Sequence, residues 1–72
     1  MSTVAAIGRD PRLAGFALVG VTVWPAGERA EVEAVWAGLA PSVGLVILGP
    51  EVAPMLEPLL ATRPDVLSVV LP

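Results

Sequence analysis

Apolar residues are not spread evenly along this chain; they fall into short runs, each stopped by glycine or proline. Val4–Ile7 ends at Gly8, Gly44–Leu48 at Gly49-Pro50, and Leu67–Leu71 at Pro72. Continuous apolar runs of this length, bounded in this way, predict strands buried on both faces of a parallel sheet. A fourth run, Val21–Trp24, mixes Thr22 with apolar residues and stops at Pro25, a pattern that fits an edge strand.

The stretches between the runs carry helical spacing instead. Asp10-Pro11 predicts a helix start, with Asp10 as N-cap and Pro11 in the first turn. Behind it Leu13, Phe16, Ala17 and Gly20 share one face, although Gly15 and Gly20 weaken the helix. Glu28–Leu39 places Val32, Val35, Trp36 and Leu39 on a single apolar stripe, and its acidic start suits the helix dipole. Glu51–Thr62 spaces Val52, Met55, Leu56 and Leu59 in the same manner but contains Pro54 and Pro58, so it is expected to bend or break. The order β-α-β-α-β-α-β over residues 1–72 predicts one α/β domain. Its four-stranded parallel sheet is expected in the flavodoxin- and receiver-like order 2-1-3-4, with helices on both faces.

Length and composition sharpen this picture. A domain of 72 residues buries only about 60% of the surface its unfolded chain exposes, yet 56% of this one is hydrophobic. Apolar surface is therefore expected to remain for a partner, unless the Ala, Val and Leu content is plain compositional bias. Four arginines against seven carboxylates give a net charge of −3. That balance argues against a nucleic-acid partner and against a polybasic membrane patch. No secretory leader is recognisable, and the longest apolar stretch, Leu13–Trp24, is interrupted and about half the length that spans a bilayer. A cytoplasmic protein without direct membrane insertion is expected.

The side-chain inventory narrows the chemistry. His, Cys, Lys and Tyr are all missing, and with them the usual general bases, activated nucleophiles and zinc ligands. A Walker A motif needs a Lys, and the one Gly-led turn, Gly8-Arg9-Asp10-Pro11, is not GxGxxG. No catalytic residue, cofactor site or metal site is therefore assigned. A phosphoacceptor receiver shares the element order, but Asp10 stands alone after the first strand and the third ends in Leu48-Gly49. Two features invite a binding role. Arg9 and Arg12, beside a helix N-terminus at the strand ends, could hold an anion, or they could be solvated charges around a capped helix. Trp24, ending the edge strand, could anchor a partner or cap the core locally, whereas Trp36 belongs to the core stripe.

Val4-Ala-Ala-Ile-Gly8 followed by Leu13-Ala-Gly-Phe-Ala-Leu-Val-Gly-Val21 resembles the N-terminal signature of the F subunit of V-type and A-type rotary ATPases. Val43-Gly-Leu-Val-Ile-Leu48 and Leu67-Ser-Val-Val-Leu-Pro72 are similar to that family's third and fourth strands. The resemblance implies a non-catalytic central-stalk component, peripheral to the membrane, that binds the coiled-coil D subunit of the stalk and serves rotary coupling or its regulation. Family members usually continue into a mobile C-terminal helix, which these residues do not include. A free-standing anion- or nucleotide-binding regulatory module is the alternative, and a small enzyme working through carboxylates alone is a third class.

Overall fold

The computed structural model describes residues 2–72. Strand β1 (Thr3–Ile7) leads through Gly8 into a 3₁₀ helix, Pro11–Val19, and then to β2 (Thr22–Trp24). Helix α1 (Arg29–Ala37) connects to β3 (Val43–Leu48). The last crossover is a short helix α2 (Ala53–Leu56) that continues as a 3₁₀ helix, Glu57–Thr62, before β4 (Leu67–Val70). The sheet is four-stranded in the order β2-β1-β3-β4, and every neighbouring pair is parallel.

The boundaries follow from local chemistry. Asp10 caps the first helix, its side chain accepting the Arg12 N–H at 2.9 Å, with Pro11 in the first turn. Gly20 ends it in the left-handed region at φ 90°; its N–H goes to Ala17 and that of Val21 to Phe16, the paired bonds of a Schellman close. In α1 the Glu31 carboxylate reaches back to the Glu28 N–H at 3.1 Å, the return half of a capping box. The two prolines divide the third crossover. Pro54 sits in the first turn of α2, while Pro58 has no N–H for the carbonyl four residues earlier, and the chain tightens from α to 3₁₀ geometry there.

The core lies on one side of the sheet. Ala5, Ile7, Val46 and Leu48 point to the same side as Val32, Trp36 and Leu39 from the α1 segment and Val52 and Leu56 from the α2 segment, and all belong to one buried cluster. Ala6 and Leu13 are buried outside that cluster. Strand alternation puts Ala6 on the opposite face, where the Pro11–Val19 helix packs against β1 and β2. Right-handed crossovers require this arrangement: β1 to β2 steps one way, whereas β2 to β3 and β3 to β4 step the other way.

Two expectations are corrected. The first crossover is a 3₁₀ helix rather than a regular α-helix, and of its expected face only Leu13 is buried; Phe16 is half-buried, and Ala17 and Gly20 are exposed. At three residues per turn Leu13 and Phe16 align, while Ala17 and Gly20 rotate off that line. The second concerns β4, where all four residues are exposed rather than buried on both faces. It is the outermost strand beyond β3, and the helix that covers the opposite face lies over the far pair, β1 and β2.

Candidate functional site

The carboxyl ends of the strands, where the strand order reverses between β1 and β3, are where sheets of this kind receive ligands. Here that crevice is occupied by the protein itself. Glu51, just after the β3 turn, accepts the Arg9 backbone N–H at 3.1 Å. Its carboxylate lies so close over the turn that a Cβ on Gly49 would meet its oxygens at 2.7 and 2.8 Å, and one on Gly8 would meet Oε1 at 2.9 Å. Two glycines thus make the space, and an acid fills it.

Both rim arginines are engaged as well. Arg9 Nη2 lies 2.8 and 2.9 Å from the two oxygens of Glu31, and its stem runs over Gly27, where a Cβ would meet Arg9 Cδ at 3.1 Å. Arg12 forks onto Asp10, with Nη2 to Oδ2 at 2.8 Å and Nε to Oδ1 at 3.1 Å. These hydrogen bonds hold the Asp10 carboxyl below its ordinary range. Glu31 is lowered too, first by the backbone N–H groups of Glu28 and Gly27 and then by Arg9. Three carboxylates against two guanidiniums make the rim net-negative, with each arginine already paired to one carboxylate.

Trp24 stands beside Ile7 in register and takes the Gly8 N–H on its carbonyl at 3.0 Å. Its side chain faces the α1 side of the sheet, 42% exposed, and lines a shallow groove of about 290 Å³ with Thr22, Leu39 and Val43. The structure therefore gathers Arg9 and the Trp24 backbone at the strand ends. It sets Arg12 on the opposite helix, and neither arginine lines the groove that holds the indole.

A second apolar feature, on the opposite face of the sheet, was not singled out by the sequence. On the face shared with the Pro11–Val19 helix, register aligns Val4 with Leu45 and Leu67, and Ala6 with Ile47 and Val69. The helix covers β1 and β2 only. Val4, Leu45 and Ile47 are half-buried, and Leu67 and Val69 are 70% and 51% exposed. Leu45, Ile47, Leu67 and Val69 on β3 and β4 thus form one apolar strip beside the helix, bordered by Val4 on β1. Leu18 and Val19 add exposed apolar surface at the end of the helix. Single apolar residues at a surface are ordinary, whereas these lie side by side in register on adjacent strands. The signal available in the sequence was the imbalance of three crossovers, two of which must pack on one face.

Among the described residues no group of three His, Cys, Asp or Glu side chains could hold a metal ion, and no helix is long and apolar enough to cross a membrane. No match to this chain was found among protein-family models, curated proteins or solved structures.

Proposed function

We propose that this chain is a non-catalytic docking subunit whose bare sheet strip receives an elongated helical partner. The observation that carries the reading is the strip of Leu45, Ile47, Leu67 and Val69, bordered by Val4 and left open because only one short helix serves that face. A helix laid there presents side chains at i, i+3, i+4 and i+7 to the strip, with backbone groups satisfied within each partner. The resemblance of Val4–Gly8 and Leu13–Val21, and of the third and fourth strands, to the rotary-ATPase F subunit names the partner class. It is the coiled-coil D subunit in the central stalk of a V/A-type rotary ATPase, on the cytoplasmic side and peripheral to the membrane. In that setting the chain contributes to rotary coupling or regulation, and ATP chemistry belongs to other subunits.

The experiment mixes the purified chain with the coiled-coil stalk protein of the same enzyme and follows size-exclusion co-elution and amide shifts. Co-elution with shifts concentrated at Leu45, Ile47, Leu67 and Val69 is expected, and Leu67→Asp, at a well-exposed site, is expected to abolish it. Binding should weaken little with salt, because the strip carries no charge. Separate elution at tens of micromolar, or shifts centred on Trp24 with the strip silent, would remove this reading.

A further inference from the structure

The two edges of the sheet are not equally protected. β2 is three residues long and is stopped by Pro25, which leaves a foreign strand little to pair with. β4 runs Leu67–Val70 in unbroken register with β3, and the Leu71 N–H continues the ladder to the Leu48 carbonyl at 2.9 Å. With Leu71 turned toward β3, alternation turns Leu67 and Val69 toward it too. The N–H and C=O groups of Ser68 and Val70 therefore point away from the sheet. Edge strands are ordinarily blunted by an internal Lys or Pro, a bulge, or a covering element. Leu67–Val70 contains no charge and no proline, its pairing with β3 shows no bulge, and all four residues are exposed. What such an edge can accept is set by its unpaired groups, namely another extended strand.

We propose that the occupant is the β4 strand of a second copy of this chain, paired antiparallel about a two-fold axis at Val69 to give one continuous eight-stranded sheet. That register sets Ser68 opposite Val70 of the second copy, and Val70 opposite its Ser68. Each of these pairs exchanges two hydrogen bonds, so every outward-pointing group of the strand is used. Val69 then faces its own counterpart across a non-hydrogen-bonded position, where side chains approach most closely, and Leu67 faces Leu71 of the second copy. All these pairs are apolar or small, and no like charges are opposed, since Asp65 lies outside the paired segment. A two-fold contact of this kind closes on itself and does not propagate. Strands this short bury less than the roughly 1,200 Å² of a standard interface, so a weak, concentration-dependent dimer is expected.

The pairing uses the strand edge and leaves the face of the sheet open, so it stands or falls apart from the docking of a helical partner. Sedimentation of the 72-residue chain alone, over a range from about 10 μM to about 1 mM, should show the mass rising from the 7.4 kDa monomer toward the dimer. Ser68→Pro removes an outward N–H at an edge position where proline is tolerated, and should return the chain to monomer. Val69→Lys opposes two like charges at the axis and should do the same. Leu18→Lys, on the Pro11–Val19 helix, should leave the dimer intact. In a mixed labelled and unlabelled sample, Val69 methyl contacts between copies and slowed exchange at the Ser68 and Val70 amides should appear with concentration. These two readouts stand even where Ser68→Pro impairs folding. A chain that stays monomeric at the highest concentration, even one whose edge captures an unrelated extended peptide, overturns the proposal. So does a dimer that survives Val69→Lys or is lost in Leu18→Lys.

Discussion

The indole N–H of Trp36 donates to Thr62 Oγ1 at 3.0 Å, and the same hydroxyl donates to the Leu59 carbonyl at 2.6 Å. One threonine thus joins α1 to the close of the last crossover, on the face that holds the core. Thr62→Val keeps the shape and removes the acceptor, leaving an indole N–H unpaired on a residue only 6% exposed. A loss of about 1 to 2 kcal/mol is expected, read as a lower urea midpoint with an unchanged slope. Thr62→Ser should recover most of it. Equal stability of the valine variant would show that water satisfies the indole as well as Thr62 does.

Gly8 and Gly15 make opposite predictions from the same substitution. Gly8 sits at φ 145°, where side chains are disfavoured, and an added Cβ would meet Leu13 Cδ1 at 3.0 Å and the Gly49 backbone at 3.3 Å. Gly8→Ala should therefore destabilise by about 1 to 3 kcal/mol. Gly15 has open space around its Cβ position, so Gly15→Ala should stabilise by about 0.4 to 1 kcal/mol through the unfolded chain. Thermal denaturation of the two variants should move in opposite directions.

How much of this was readable beforehand depends on range. The strands, their order and the Asp10-Pro11 start were legible because runs, stops and caps are local, and right-handed crossovers leave few topologies. The break at Pro58 was legible because a missing N–H acts on a neighbour in the same turn. What escaped was everything set by register or by contacts distant in sequence. Leu67–Val70 reads the same whether a helix covers it or not, so a bare edge looked like a buried strand. Arg9 finds Glu31 and Glu51, 22 and 42 residues away, so both of its carboxylate partners were invisible to spacing. The Arg12–Asp10 fork, only two residues apart, could have been anticipated, and it would have weighed against a free arginine pair.

Acid should lower the stability of this protein through its paired carboxylates. The folded-state values of Asp10, Glu31 and Asp65 are all depressed: Asp10 and Asp65 chiefly by side-chain hydrogen bonds from Arg12 and Arg63, and Glu31 chiefly by the Glu28 and Gly27 backbone N–H groups. A depressed carboxylate contributes stability that is present above its unfolded-state value and is lost as pH falls through the folded one. With unfolded references of 4.5 for Glu31 and 3.8 for the two aspartates, stability should begin to fall near the upper value and decline steadily below it. The chain has no histidine, so the thermal midpoint should be nearly flat from about pH 8 to about pH 5. Glu31→Gln should shallow the first part of the acid slope. An unchanged slope would place the linkage on other groups.

The strand-end crevice should refuse phosphate and nucleotide. Ligands of this fold class enter where β1 and β3 diverge, drawn by backbone N–H groups and nearby positive charge. In this chain the Glu51 carboxylate lies against Gly8 and Gly49 and takes the Arg9 N–H. An incoming anion would have to displace a negative charge already hydrogen-bonded in place. Arg9 and Arg12 are already paired with Glu31 and Asp10, so they attract an incoming anion less than unpaired arginines would. No lysine is available to reach a terminal phosphate. Titration with ATP and Mg²⁺ to millimolar concentrations should therefore give no saturable heat and no saturable amide shifts at Gly8, Arg9 or Gly49. Removing the resident acid tests the cause: Glu51→Ala should render those three amides responsive to phosphate, though weakly, while the Arg12 signal stays fixed by Asp10. Micromolar ATP binding by the unaltered chain would mean that Glu51 swings out at little cost, and the rim would then be an anion site after all.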